Sequence, residues 1–299
     1  PICTKRGVAF FGRDSESTLP VWSARDGYPG NPNYREFHRD LGWDLSIDNL
    51  KKIGIKEKRP IGIKLFRITS KHTSLENKQQ YDPQIATESV EQDADNYLKE
   101  RKKQLIKLED SMQIEPLLIA PFDAELFGHW WFEGPQFISQ LFIKSKKEGI
   151  KLITLKEALK KNPQIQLCNP SPSSWGQGGF HNYWLNESNS WIVNEWSKAG
   201  IEMINICSKG LQEKSYIKLL RQAGRELLLS QSSDWSFILK AGTTTELARE
   251  RINLHLKRFW MLINAIKNNK NIDPNILEKI EKEDCIFPLI SPIDWKKKN

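Results

Sequence analysis

Residues 169–184 read NPSPSSWGQGGFHNYW. Proline has no backbone N–H to give and glycine loses the most freedom when ordered, so a stretch this rich in both interrupts helices and strands alike. The pattern on either side of it differs. Before it, short apolar runs alternate with helix-like spacing. After it, everything reads helical.

In the first part, IGIKLFRIT (61–69) predicts a strand. Residues 86–108 predict a helix, with Val90, Ala94, Tyr97, Leu98, Leu105 and Leu108 able to share a face. PLLIAPF (116–122) suits a strand buried on both faces. A helix over 135–147 opens with Pro135, which is tolerated at a first helical position. A strand is expected at 150–153, and Thr154 to Glu157 forms a capping-box pattern that starts another helix. This alternation predicts a parallel α/β sheet or barrel. In the second part, residues 246–266 place Leu247, Leu254, Phe259, Leu262 and Ile266 near one face, with Thr243 to Glu246 able to cap the start. The expected division is an α/β region over 1–165 and a helical region over 166–299.

The chain has 299 residues, with 38% apolar and 27% charged content, which is globular composition. The net charge of +8 is spread over tracts such as Lys144, Lys146 and Lys147, or Lys296 to Lys298, mixed with acids. No stripe of basic residues interleaved with aromatics is present, so a solvated surface is expected and a nucleic-acid partner is not. No stretch has the length of a membrane span and the start does not read as a signal peptide; the expected location is the cytoplasm. The chain opens PICTKRGVAFFGRD, beginning with Pro1 rather than Met, which reads as the middle of a domain and predicts a piece of a longer protein. Cys3, Cys168, Cys207 and Cys285 lie far apart without metal-ligand spacing, which argues against a zinc site and a disulfide framework.

Tryptophan is the anomaly. Eleven are present, several in polar, glycine-rich or acidic contexts. Core packing is the ordinary use, but flat rings beside carboxylates and amides also suit a sugar cleft. The densest such context is APFDAELFGHWWFEGP (120–135). In parallel α/β folds ligands meet the C-terminal ends of strands, and Asp123 falls just past PLLIAPF. Partial burial there would raise its pKa and suit it to general acid work. The alternative is a helix N-cap aspartate.

DAELFGHWWFEGP resembles the fourth signature motif of glycoside hydrolase family 57, in its subgroup of α-1,4-glucan branching enzymes. GVAFFGRDSEST, VWSARDGYPGNPNYREFHRDLGWDL, GIKLFRIT, PSPSSWG and ELLLSQSSDWSFIL resemble the family in the family's order. The resemblance implies the C-terminal part of an incomplete (β/α)7 barrel with a helical insertion, followed by a helical domain that contributes to the substrate cleft. It implies a retaining glycosyl transfer on an α-glucan, without metal or organic cofactor, in which Asp123 is the general acid/base.

The family nucleophile belongs to an earlier motif. Glu125 and Glu133 match other positions of the acid/base motif, so this polypeptide alone is expected not to turn over glucan. The resemblance makes Arg13, Trp22 and Gly30 substrate-binding residues of a loop bordering the donor cleft. The plainer alternative is a folded loop, with Gly30 in a turn and Arg13 paired to Asp14 or Asp26. Arg35 and Arg39 are expected in structural ion pairs. Trp175 and Trp184 resemble the family's aromatic subsites, with core packing a rival for Trp184. Asp234 resembles a sugar-hydroxyl acceptor, with a helix cap as its rival, and Trp235 packs beside it. His129 suits either a sugar contact or a structural place. A non-catalytic glucan-binding protein, and an amylase or 4-α-glucanotransferase of the same family, remain as other functions.

Overall fold

A computed structural model describes residues 1–112, 115–161, 165–209 and 214–297. The chain forms two compact units, Pro1–Pro170 and Ser171–Asn299. The expected division after residue 165 differs by a short segment. Residues 166 and 167 pair with the start of the chain, and so belong to the first unit.

In the first unit, strands β1 (Ile2–Cys3) and β2 (Ala9–Phe10) pair antiparallel, Ile2 opposite Phe10. Helix α1 (Ser15–Trp22) begins where the Asp14 carboxylate accepts the Ser17 N–H at 2.7 Å, an N-cap that satisfies one orphan donor. Short helices α2 (Leu41–Asp44) and α3 (Ile47–Lys52) follow, capped by Asp40 and Ser46. Helix α4 (Pro83–Met112) contains the expected 86–108. Pro83 takes its first position and Asp82 accepts the Gln84 N–H at 2.9 Å. Ala86, Val90, Ala94, Tyr97 and Leu98 are buried at three- and four-residue spacing. Beyond them Arg101 and Gln104 are buried instead of leucines: Arg101 donates to the Glu16 carbonyl at 2.6 Å and Gln104 to the Asp14 carboxylate at 3.0 Å. Helix α5 (Gly134–Ser145) and helix α6 (Leu155–Lys161) come next. At α6 the capping box forms, with Thr154 N–H on Glu157 at 2.8 Å and Glu157 N–H on the Thr154 hydroxyl at 3.2 Å. Strand β3 (Gln166–Leu167) pairs parallel with β1, giving the order β2-β1-β3.

Three expected strands are not formed among the described residues. Residues 61–69 carry only isolated bridges: Arg67 opposite Arg35 and Phe66 opposite Gln80. The segment threads between two neighbours, with Ile68 N–H on the Tyr34 carbonyl and Arg67 N–H on the Gln79 carbonyl, without building a ladder on either side. Residues 116–122 have the apolar run but two prolines that donate nothing; Asp14 N–H reaches the Ile119 carbonyl at 2.8 Å. Residues 150–153 follow a turn in which Ile150 N–H bonds the Ser145 carbonyl. A strand is defined by lateral partners that periodicity cannot supply. The unit is therefore helical with one small sheet, packed on a core of Val21, Tyr34, Val90, Leu126, Trp131 and Phe137.

The second unit is helical: α7 (Ser190–Ser208), α8 (Lys214–Ser230), α9 (Ser233–Ala241), α10 (Thr245–Lys267) and α11 (Pro274–Glu283). The expected 246–266 falls inside α10, but its Thr cap is not made. Thr244 sits in the left-handed region at φ 43° and gives no side-chain bond. The core joins Ile192 and Met203 of α7, Leu220 and Leu227 of α8, and Ile252, Phe259, Leu262 and Ile263 of α10. Gly224 makes room in α8. A Cβ there would lie 2.7 Å from the Trp295 ring and 3.1 Å from Ile290. Of the basic tract at the end, Lys298 lies outside the described residues.

Candidate functional site

Asp123 stands at the head of a one-turn 3-10 helix, Ala124–Leu126. Its carbonyl accepts the Leu126 N–H at 3.1 Å, but its side chain makes no capping bond. The N-cap alternative is therefore met in position and not in bonding. The partial burial expected of it is not found either: Asp123 is exposed, because no strand carries PLLIAPF into a sheet. Among the described residues its carboxylate has no hydrogen-bond partner, so both oxygens are open to solvent and ligand.

The residues that follow fix this turn to the core. Leu126 and Trp131 are buried, and Trp131 N–H bonds the Leu126 carbonyl at 2.9 Å while Gly128 N–H bonds the Trp131 carbonyl at 2.8 Å. The tight return needs Gly128 at φ 104°, a conformation side chains disfavour. Of the two tryptophans, Trp131 is core and packs tilted against Phe137, ring centres 4.9 Å apart; Trp130 is half-buried. His129 is exposed, 6.3 Å from the Phe37 ring.

The two glutamates of the motif have different fates. Glu125 is exposed. Glu133 is buried, and its Oε1 accepts the Arg35 backbone N–H at 3.1 Å while Oε2 has no partner among the described residues. Burial pushes its pKa up, and the Tyr81 hydroxyl and the Arg35 N–H draw it only partway back. Glu133 thus ties the 31–40 loop to the Asp123 motif.

The other candidates fall in both units. Arg13 is exposed, and Asp26, one suggested partner, is bonded to Lys71 at 3.0 Å. Trp22 ends α1, half-buried against the core, with its indole N–H buried and without an acceptor among the described residues. Gly30 serves the backbone, since a Cβ would lie 2.1 Å from the Ala24 carbonyl oxygen. Arg39 forms the expected ion pair, with Asp44 at 3.0 Å. Arg35 does not. Its guanidinium lies 3.5 Å from the Phe132 ring centre and makes no salt bridge among the described residues, since the acid that reaches this loop meets its backbone instead. In the second unit Trp184 donates its indole N–H to the Trp175 carbonyl at 2.5 Å, which joins these two tryptophans. Trp175 is 47% exposed and Trp184 half-buried. Asp234 is exposed in the first turn of α9, accepting the Ser232 hydroxyl at 2.9 Å. Trp235 packs on the core and bonds the Leu229 carbonyl at 2.8 Å.

Two features have no counterpart among the sequence expectations. One is a cavity of about 300 Å3 in the first unit, walled by Arg25, Arg35, His38 and Trp130. Its signal lies in YREFHRD and HWW taken together, two stretches far apart in the chain. The other is a buried polar cluster in the second unit. His255 Nδ1 lies 2.8 Å from Glu226 Oε2 and 3.7 Å from Asp284 Oδ2. Burial raises the Glu226 pKa, against the bonds from His255 and Gln222. The three side chains offer ligand atoms within 4.8 Å of one another, a spacing a cation fits. Those atoms are already engaged: Glu226 by His255 and Gln222, Asp284 by the Arg258 guanidinium. The cluster is a structural network joining α8, α10 and the end of α11.

Residues 195–295 match the family described as 1,4-alpha-glucan branching enzyme, C-terminal. A 1,4-alpha-glucan branching enzyme of Thermococcus kodakarensis is 32% identical over 289 residues, 94% of this chain and 40% of that protein. The crystal structure of a GH57-type branching enzyme from Pyrococcus horikoshii superposes with a TM-score of 0.82 at 30% identity, over 100% of this chain and 54% of the other. The α-amylase AmyC of Thermotoga maritima gives 0.80 at 38% identity, over 100% and 57%. The chain thus spans about half the length of the relatives it matches. No described helix is long and apolar enough to cross a membrane.

Proposed function

Since the chain belongs to glycoside hydrolase family 57, we propose that it serves a 1,4-α-glucan branching enzyme, with Asp123 as the general acid/base. The observation that carries this reading is the Asp123 carboxylate: exposed, free of hydrogen bonds among the described residues, and set on a turn whose next residues are locked into the core. A group that must give and regain a proton needs that combination of open oxygens and a fixed base.

The reaction is a retaining transfer. A carboxylate nucleophile attacks the anomeric carbon while Asp123 protonates the departing glycosidic oxygen. The 6-hydroxyl of a second glucan then displaces the enzyme, and Asp123 takes its proton. The two carboxyl groups must stand about 5–5.5 Å apart. Neither motif glutamate suits the second role. Glu125 is two residues from Asp123, and Glu133 is buried on Arg35. Arg13, Trp22, Gly30, Trp175, Trp184 and Asp234 are the proposed glucan contacts, with Trp175 the best exposed ring. For Gly30 the contact would be through backbone, since the Ala24 carbonyl excludes a side chain. The first unit is read as part of an incomplete (β/α)7 barrel.

The test uses the native protein that carries this chain, fed amylose and followed by debranching with isoamylase. New isoamylase-sensitive branches are expected, and Asp123→Asn should lower kcat by about 10²–10⁴-fold, the scale of a lost general acid. A second reading, hydrolysis, is favoured by the 38% identity to a protein named an α-amylase. Release of reducing ends without new branches would establish that reading in place of branching.

A further inference from the structure

The cavity of the first unit is unusual in its charge. Two of the cations around it are already neutralised. Lys78 is buried against Glu36 at 3.2 Å and also donates to the Ile68 and Ser70 carbonyls, while Lys71 pairs with Asp26. Arg25 and Arg35 remain, and neither forms a salt bridge among the described residues. Arg35 is held flat on Phe132, and burial disfavours its cation. The acid with most influence on it, Glu133, is itself pushed toward its neutral form. A guanidinium in this position is costly until an anion meets it.

The walls add an aromatic feature. Trp130 offers a half-buried ring. An aromatic face suits the C–H face of a sugar. The volume, about 300 Å3, is at the lower end for ligand pockets and takes one sugar ring with a substituent rather than a glucan chain.

We propose that this cavity binds a hexose phosphate, with the sugar ring on Trp130 and the phosphate between Arg25 and Arg35. Guanidinium groups pair with phosphate through two parallel N–H bonds, which a neutral glucan cannot reproduce. Asp123 does not line the cavity, and binding there can be read without the branching reaction.

Isothermal titration of the native protein that carries this chain with glucose 6-phosphate, inorganic phosphate, maltoheptaose and 6-phosphoryl maltodextrin tests this. A phosphorylated sugar should bind more tightly than either inorganic phosphate or maltoheptaose. Arg25→Gln and Arg35→Gln should each weaken it by about tenfold or more, the effect of losing a charge-assisted contact. Arg25 is exposed, so its variant keeps the test valid should the Arg35 variant fold poorly. Binding of glucose 6-phosphate identifies the free sugar as the source; binding of the phosphorylated dextrin alone identifies a modified glucan. Absence of binding by both overturns the proposal. So does binding that ignores both substitutions, or that maltoheptaose or inorganic phosphate matches. Failure of the amylose assay would leave this result untouched.

Discussion

The two units reach stability by different routes. The second is a bundle in which apolar residues of α7, α8 and α10 meet in one continuous core. The first has a smaller core and a long stretch, residues 23–81, that is irregular apart from short helices such as α2 and α3 and is organised by side chains that capture backbone groups. Asp40 is the centre of that stretch. Its carboxylate accepts N–H groups from Gly42, Ile61 and Gly62 at 2.8–3.0 Å and pairs with Lys64 at 3.1 Å. Helices satisfy most of their own backbone, so the bundle is held chiefly by apolar side chains, with the Glu226–His255–Asp284 network beside them. A loop cannot do so and depends on a few polar residues at named places. The contrast also explains where ligands are expected. Loops fixed by side chains leave cavities and open carboxylates, as at Arg35 and Asp123.

The largest test of this contrast is in the bundle. Phe259 is fully buried at the middle of α10, and Phe259→Ala should cost about 3–5 kcal/mol in urea unfolding by leaving a cavity. A loss near that of a surface substitution would mean that the second unit is not held by its shared apolar core.

The middle effect belongs to the loop. Asp40→Asn keeps the shape but removes a charge to which several donors point, and should cost about 1.5–3 kcal/mol at pH 7. The side chain is 1% exposed, sealed off by its near neighbours rather than set deep in the protein. Burial pushes its pKa up, but the bonds from Ile61, Gly42, Lys64 and Gly62 win, so the folded value lies below the ordinary 3.8. A carboxyl with a depressed folded pKa gives stability that is present above the unfolded value and lost as pH falls through the folded one. The difference between wild type and Asp40→Asn should therefore shrink below about pH 4, as followed by urea midpoints on acidification. A difference that is constant with pH would mean that shape rather than charge organises this loop.

The smallest is at the surface of the first unit. Thr154→Ala removes half of the capping box of α6 and should cost about 1 kcal/mol, with the change read by thermal unfolding. No change there would show that the exposed helix is held by packing alone.

What the sequence revealed follows the same division. Helices α4, α5 and α10 were legible because their signals are local: Pro135 at the start of α5, and apolar spacing in α4 and α10, where Phe259, Leu262 and Ile266 are buried although Leu247 is exposed. The family resemblance of the motif around Asp123 was legible for a similar reason, since its whole context is sixteen consecutive residues. PLLIAPF misled because its apolar content describes a strand while its partners lie elsewhere in the chain. Arg35 was misassigned because what it meets, Phe132, is far away in sequence, and an arginine beside acids reads as an ion pair until the fold aims it elsewhere. Glu226, His255 and Asp284 gave no signal at all. Each lies on a different element, and only the packing of three helices makes them a cluster.

The small sheet has a consequence for how the first unit comes together. β1 sits at the centre of the order β2-β1-β3, and it joins residues 2–3 to residues 166–167. That pairing is two residues long, yet it closes a loop containing nearly the whole unit. Contacts so distant in sequence repay their entropy late, because the intervening chain must already be compact. The β1–β3 pairing is thus the clasp of the unit rather than its seed, whereas the β1–β2 pairing beside it joins near neighbours in the chain.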